Sequence, residues 1–146
     1  KIKKMIKIEV NNKLNSKFKL KELKRFIDNQ KKKSDKIFKK FKKISIYGSA
    51  RSGPVLAENL CRPEKFQNIF DDHKMKINKY SGYRSLKVSP TKYIKKLKPD
   101  LCVILAYLHS KKIIRNNINY LKDGGNFLIV YPNVKLINFK NYKKHV

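Results

Sequence analysis

Residues 44–53 read Ile44-Ser45-Ile46-Tyr47-Gly48-Ser49-Ala50-Arg51-Ser52-Gly53, a short apolar strand that runs into a turn of small residues. Glycine, serine and alanine there let backbone N–H groups approach an anion, and a following helix aims its positive end at the same point. The spacing falls short of G-x-G-x-x-G, so a dinucleotide is not specified. Two readings stay open: a phosphate cradle with Arg51 supplying charge, or a plain tight strand-to-helix connection.

Outward from this turn the chain alternates strand and helix. Gly53 to Leu60 reads as a helix with Pro54 in its first turn. Phe66–Phe70 reads as a second strand ending at Asp71-Asp72, and Leu86–Val88 as a short third. Ser89 and Pro90 suit the cap and first position of a helix through Leu97. Leu101-Cys102-Val103-Ile104-Leu105-Ala106 is a continuous apolar run, fit for a strand covered on both faces. A helix from Ser110 to Leu121 stops at Gly124-Gly125; Asn126–Tyr131 is a last clear strand, with Val134–Ile137 a short extension. Short connections between alternating elements give an α/β domain with a mostly parallel sheet.

Upstream, residues 1–43 read as a basic segment with a lead-in helix, and residues 44–146 as the domain proper. Met5-Ile6-Lys7-Ile8-Glu9-Val10 alternates like an edge strand, with disorder as the other reading. Leu20, Leu23, Ile27, Ile37 and Phe41 recur at helical spacing, interrupted by Gln30 and Ser34, which predicts a break near Lys31-Lys32-Lys33. The chain starts at Lys1 without a methionine and is expected to be a fragment or to lack its start.

The 146 residues carry 38 Lys and Arg against 10 Asp and Glu, for a net charge of +28. That balance suits nucleic acid or an acidic partner. Only five of the basic residues are Arg, however, the better bidentate reader of phosphate. Residues 1–43 hold 18 basic and 4 acidic side chains and the remainder 20 and 6, so the charge is spread evenly. Abundant Asn and Ile beside the Lys fit a compositional bias. A basic module binding nucleic acid or an acidic partner is therefore the alternative function. Cys61 and Cys102 sit among apolar residues and read as reduced core thiols of a cytoplasmic protein. The apolar runs are too short to span a bilayer, and His73, His109 and His145 do not fall at metal-ligand spacing.

Ligands of parallel sheets bind beyond the carboxyl ends of the strands, here Tyr47-Gly48-Ser49, Asp71-Asp72, Ala106-Tyr107 and Tyr131-Pro132. Asp71 stands about 20 residues after the turn, where an acid takes ribose hydroxyls. Lys74, Lys76, Lys79, Tyr80 and Arg84 form a basic loop able to close over phosphates or a sugar. Tyr107 and His109 either line the same pocket or pack beneath a helix. Asp72-His73 has no nucleophile or third group beside it, and no catalytic constellation emerges. The domain reads as a binder.

From about Leu20 to Ile137 the chain resembles the C-terminal domain of S-adenosylmethionine-dependent C-methyltransferases that act on nucleotide-linked deoxysugars. The resemblance is carried, in order, by Tyr47-Gly48-Ser49-Ala50-Arg51-Ser52-Gly53, by Asp71 with Lys76 and Tyr80, by Pro99-Asp100-Leu101 through Ala106-Tyr107, by Gly124-Gly125-Asn126-Phe127 and by Pro132-Asn133-Val134. The family's turn lysine is Ser52 here, its loop glycine is Asn78, and the asparagine after its Ala-Trp is Leu108. The resemblance implies a Rossmann-like three-layer fold that helps hold a nucleotide-sugar substrate. A preceding domain would bind S-adenosylmethionine and do the chemistry, so no cofactor is expected on this chain. Gly48, Ser49, Arg51 and Gly53 would hold phosphate, Asp71 ribose or sugar hydroxyls, and Tyr47, Lys76, Tyr80 and Tyr107 would complete the pocket.

Overall fold

A computed structural model describes residues 2–12, 16–82 and 85–146; Arg84 of the basic loop lies outside them. Six strands form one sheet in the order β3-β2-β1-β4-β5-β6: β1 Ile44–Tyr47, β2 Phe66–Asp71, β3 Val88–Pro90, β4 Leu101–Ile104, β5 Asn126–Ile129 and β6 Lys135–Ile137. The first five run parallel and β6 pairs antiparallel with β5. The chain moves outward from β1 to β3, then returns past β1 to β4. The switch point of this Rossmann-like sheet therefore lies between β1 and β4.

Alternation along the strands separates two apolar layers. Ile44, Ile46, Leu101, Val103, Leu128 and Val130 face one side, with Phe38 of α2 (Lys17–Phe38) and Ala57 and Leu60 of α3 (Gly53–Leu60). Tyr47, Phe70, Cys102, Ile104, Phe127 and Ile129 face the other. That second face is covered by α4 (Ile94–Leu97), α5 (Ser110–Asn116) and α6 (Ile118–Lys122) through Ile94, Ile113, Ile114 and Leu121. Both cysteines are buried and free, Cys61 after α3 and Cys102 within β4.

Several boundaries differ from the sequence reading. Residues 2–11 form a helix, α1 (Ile2–Asn11), rather than an edge strand, and bury no side chain. Helix α2 runs unbroken for 22 residues. Gln30 and Ser34 lie on its buried face and are satisfied there: Val134 N–H donates to Gln30 Oε1 at 3.2 Å, and the Ser34 hydroxyl bonds the Leu60 carbonyl. Asp35 adds a two-pronged pair with Arg62, at 2.8 and 3.0 Å. Ser89 and Pro90 end β3, and Pro90 stands at the cap, not the first position, of a 3-10 turn that starts at Thr91. β3 is an edge strand, where a residue without an N–H is tolerated. The expected single helix over Ser110–Leu121 divides at Asn117 into α5 and α6. No helix among the described residues is long and apolar enough to cross a membrane.

Candidate functional site

The β1 turn continues the sheet on both sides. Gly48 N–H donates to the Phe70 carbonyl at 2.7 Å, and Leu105 N–H donates to the Tyr47 carbonyl at 3.1 Å. This squeezes Gly48 against the end of β4, where it adopts φ +93°. The next donor, Ser49 N–H, points to Asp71 Oδ2 at 2.8 Å. Asp71 also accepts from His73 N–H at 2.8 Å and pairs with Lys76 Nζ at 3.1 Å. The carboxylate thus occupies an anion position beside the turn and ties the β1 turn to the loop after β2.

These contacts set its protonation. Burial alone would push the Asp71 carboxyl up, but His73 N–H, the Lys76 ammonium and Ser49 N–H together outweigh it and hold it below the usual carboxylate range. A carboxyl depressed in the folded state contributes stability above its unfolded pKa of about 4, lost as pH falls through the lower folded value. Asp71→Asn is accordingly expected to lower stability by about 1–3 kcal/mol at neutral pH. In thermal melts the gap to wild type should be widest near neutrality and close below about pH 4. A gap independent of pH would contradict the ionised clamp.

Next to it, Asp72 lies exposed at the mouth of a cavity of about 430 Å³ beyond the carboxyl ends of β1, β2 and β4. Tyr47, Gly48, Asp71 and Ala106 form its strand-end walls, with His73 and Lys76 on the loop side. His109, Lys112, Ile113 and Asn116 close it from α5 and the turn before it. The Tyr47 hydroxyl donates to Asp72 Oδ2 at 2.8 Å and lies 3.3 Å from Asn117 Nδ2, which donates to it. The Thr91 hydroxyl bonds Asp72 Oδ1. Burial and the Asp72 acceptor raise the Tyr47 hydroxyl above the ordinary tyrosine range, so it remains a donor.

Of the residues picked out from sequence, Tyr47, Gly48, Asp71 and Lys76 meet at this cavity, and Ser49 reaches it through Asp71. Arg51 is exposed on the turn, and Gly53 is buried under Leu105. Tyr80 is 73% exposed and outside the cavity wall. Tyr107 packs edge-on against Tyr131 at 4.9 Å and lines a smaller hollow of about 120 Å³ with Ala50, Ser52 and Leu108. His109 belongs to both hollows. Lys112 and Asn116 were missed; their signal is the four-residue spacing that puts them on one face of the helix after β4.

Asn78 takes φ +66°. The resembling family has glycine at this position, and asparagine is a side chain that tolerates the left-handed region. A second cleft, of about 210 Å³, lies at the opposite end of the strands among Lys98, Asp100, Tyr120, Asp123 and Gly124. It sits where β4 and β5 begin, away from the strand ends that bind ligands in such sheets. We therefore assign the candidate site to the larger cavity.

A profile of the family described as C-methyltransferase C-terminal domain matches residues 1–132. No curated protein matches the chain. Among solved structures, UDP-D-quinovosamine 4-dehydrogenase from Vibrio fischeri is similar at 20% identity, over 68% of this chain and 96% of its own, with a TM-score of 0.48.

Proposed function

The chain belongs to the C-methyltransferase C-terminal domain family, and from that premise we propose that it holds a nucleotide-linked sugar for methylation by a preceding domain. The observation that carries this reading is the cavity of about 430 Å³ at the switch point, lined by Lys112, His73 and His109 together with Asp72 and the Asp71–Lys76 pair. The Lys112 ammonium suits a diphosphate, and carboxylates suit sugar hydroxyls. The volume lies in the range of small-molecule sites. On this reading S-adenosylmethionine sits on the preceding domain, and this chain contributes binding and orientation. The buried free thiols Cys61 and Cys102 accord with the cytoplasm as its compartment.

Amide NMR of the chain during titration with a nucleoside diphosphate sugar tests the proposal. Shifts are expected at Gly48, Asp72, His73, Ala106 and Lys112. Lys112→Ala should weaken binding by roughly three- to tenfold through loss of a charge-assisted contact. Shifts confined to residues 94–100 and 120–125, or none at millimolar ligand, would overturn it.

A further inference from the structure

The two adjacent carboxylates of the cavity are not equivalent. Asp71 is 8% exposed, and its oxygens accept from Ser49, His73 and Lys76. A carboxylate offers about four lone-pair positions, so three of them are taken, by the turn and by its own loop. Its charge is also neutralised by the Lys76 ammonium.

Asp72 is held differently. It is exposed, and its two oxygens accept from the Tyr47 and Thr91 hydroxyls. Among the described residues no Lys or Arg pairs with it, in a chain with 38 of them. The Tyr47 ring that orients it is 3% exposed, edge-on to Phe127 at 6.2 Å, with its hydroxyl also fixed by Asn117. The result is an aimed acceptor at the wall of a cavity, with lone pairs left and no cation in contact. Neutral O–H donors match it best, because a hydroxyl bond to a carboxylate is charge-assisted and needs no counter-ion.

We infer that Asp72 is the specificity-determining residue of the cavity, accepting hydrogen bonds from hydroxyls of a sugar ring. In this inference Tyr47 is its positioning residue, and Asp71 is confined to clamping the turn. The inference rests on the nucleotide-sugar reading and moves the hydroxyl-binding role from Asp71 to its neighbour. The hydroxyls belong to the ribose or to the linked hexose, which share this chemistry.

Calorimetric titration of the chain with UDP-glucose, UDP and pyrophosphate separates these cases. Asp72→Asn, whose amide oxygen still accepts from Tyr47, is expected to keep the thermal midpoint near wild type, Asp72→Ala to lower it through loss of that acceptor, and both to weaken UDP-glucose about tenfold while leaving pyrophosphate unchanged. Tyr47→Phe should give a smaller loss of the same selectivity, roughly threefold, which general damage to the fold would not confine to hydroxyl-bearing ligands. Loss with UDP-glucose but not UDP identifies the hexose; equal loss with both identifies the ribose. Wild-type affinity of the Asp72 variants for UDP-glucose overturns this inference and leaves the nucleotide-sugar reading standing. Failure of the wild-type chain to bind either nucleotide overturns both.

Discussion

Phe38→Ala is expected to destabilise the chain by about 3–5 kcal/mol, a large-to-small change in a fully packed site. Phe38 is the last residue of α2 and is completely buried, edge-on to Phe66 with ring centres 6.0 Å apart. It belongs to the layer that includes Ile44, Leu60 and Leu101, so its removal leaves a void between helix and sheet. For a chain of this size the thermal midpoint should fall by roughly 10 °C. Leu20 supplies the control. It lies 18 residues earlier, five helical turns back on the same face, yet is 62% exposed. Leu20→Ala is therefore expected to change stability by less than about 0.5 kcal/mol. Urea melts of both variants decide the matter. A loss below about 1 kcal/mol for Phe38→Ala would mean that α2 is an appendage rather than a layer of the core.

That contrast also explains which parts of the fold could be read in advance. The strands at 44–47 and 101–104 announce themselves because every position is buried, which demands apolar residues at nearly all of them, and the strand at 66–71 shows through Phe66, Ile69 and Phe70. Their helical partners follow from the rule that alternating elements cover such a sheet. The N-terminal residues carry no such demand. Ile6, Ile8 and Val10 alternate as in a strand, while Ile2, Ile6 and Val10 also fall four apart as in a helix. A strand must find a partner to satisfy its backbone, whereas a helix satisfies its own, and residues 2–11 lie outside the six-stranded sheet. In α2 the polar residues at 30 and 34 looked like interruptions. Their partners, Val134 and Leu60, lie far along the chain.

The site obeys the same division. Strand ends are local features, so Tyr47, Gly48 and Asp71 were legible. The cavity wall brings together residues as far apart in the chain as Tyr47 and Asn116, which the sequence does not align. Asp71 illustrates the difficulty. Its position at the end of β2 matches that of an acid that takes ribose hydroxyls. The N–H groups and ammonium that engage it come from Ser49, His73 and Lys76, and only their arrangement in space reveals how little of the carboxylate is left.

Gly48→Ala is the second substitution with a large expected effect, about 3 kcal/mol, because two independent penalties coincide. The first is conformational: a side chain at φ +93° is strained, at about 1–2 kcal/mol. The second is steric: a Cβ on Gly48 would stand 2.6 Å from the Ala106 Cβ and 3.2 Å from its backbone nitrogen. Relief would require β1 and β4 to part at the switch point, and overpacking of this kind costs about 1–3 kcal/mol. The two terms separate in a double variant. Ala106→Gly in the Gly48→Ala background removes the closest contact and should recover roughly half of the loss, leaving the conformational part. Since Gly48 and Ala106 both line the cavity, Gly48→Ala should also weaken ligand binding, and the double variant should recover stability before affinity. Full recovery of stability would mean that the φ at Gly48 carries no strain for alanine; no recovery would mean that the approach of the two strand ends is looser than 2.6 Å implies.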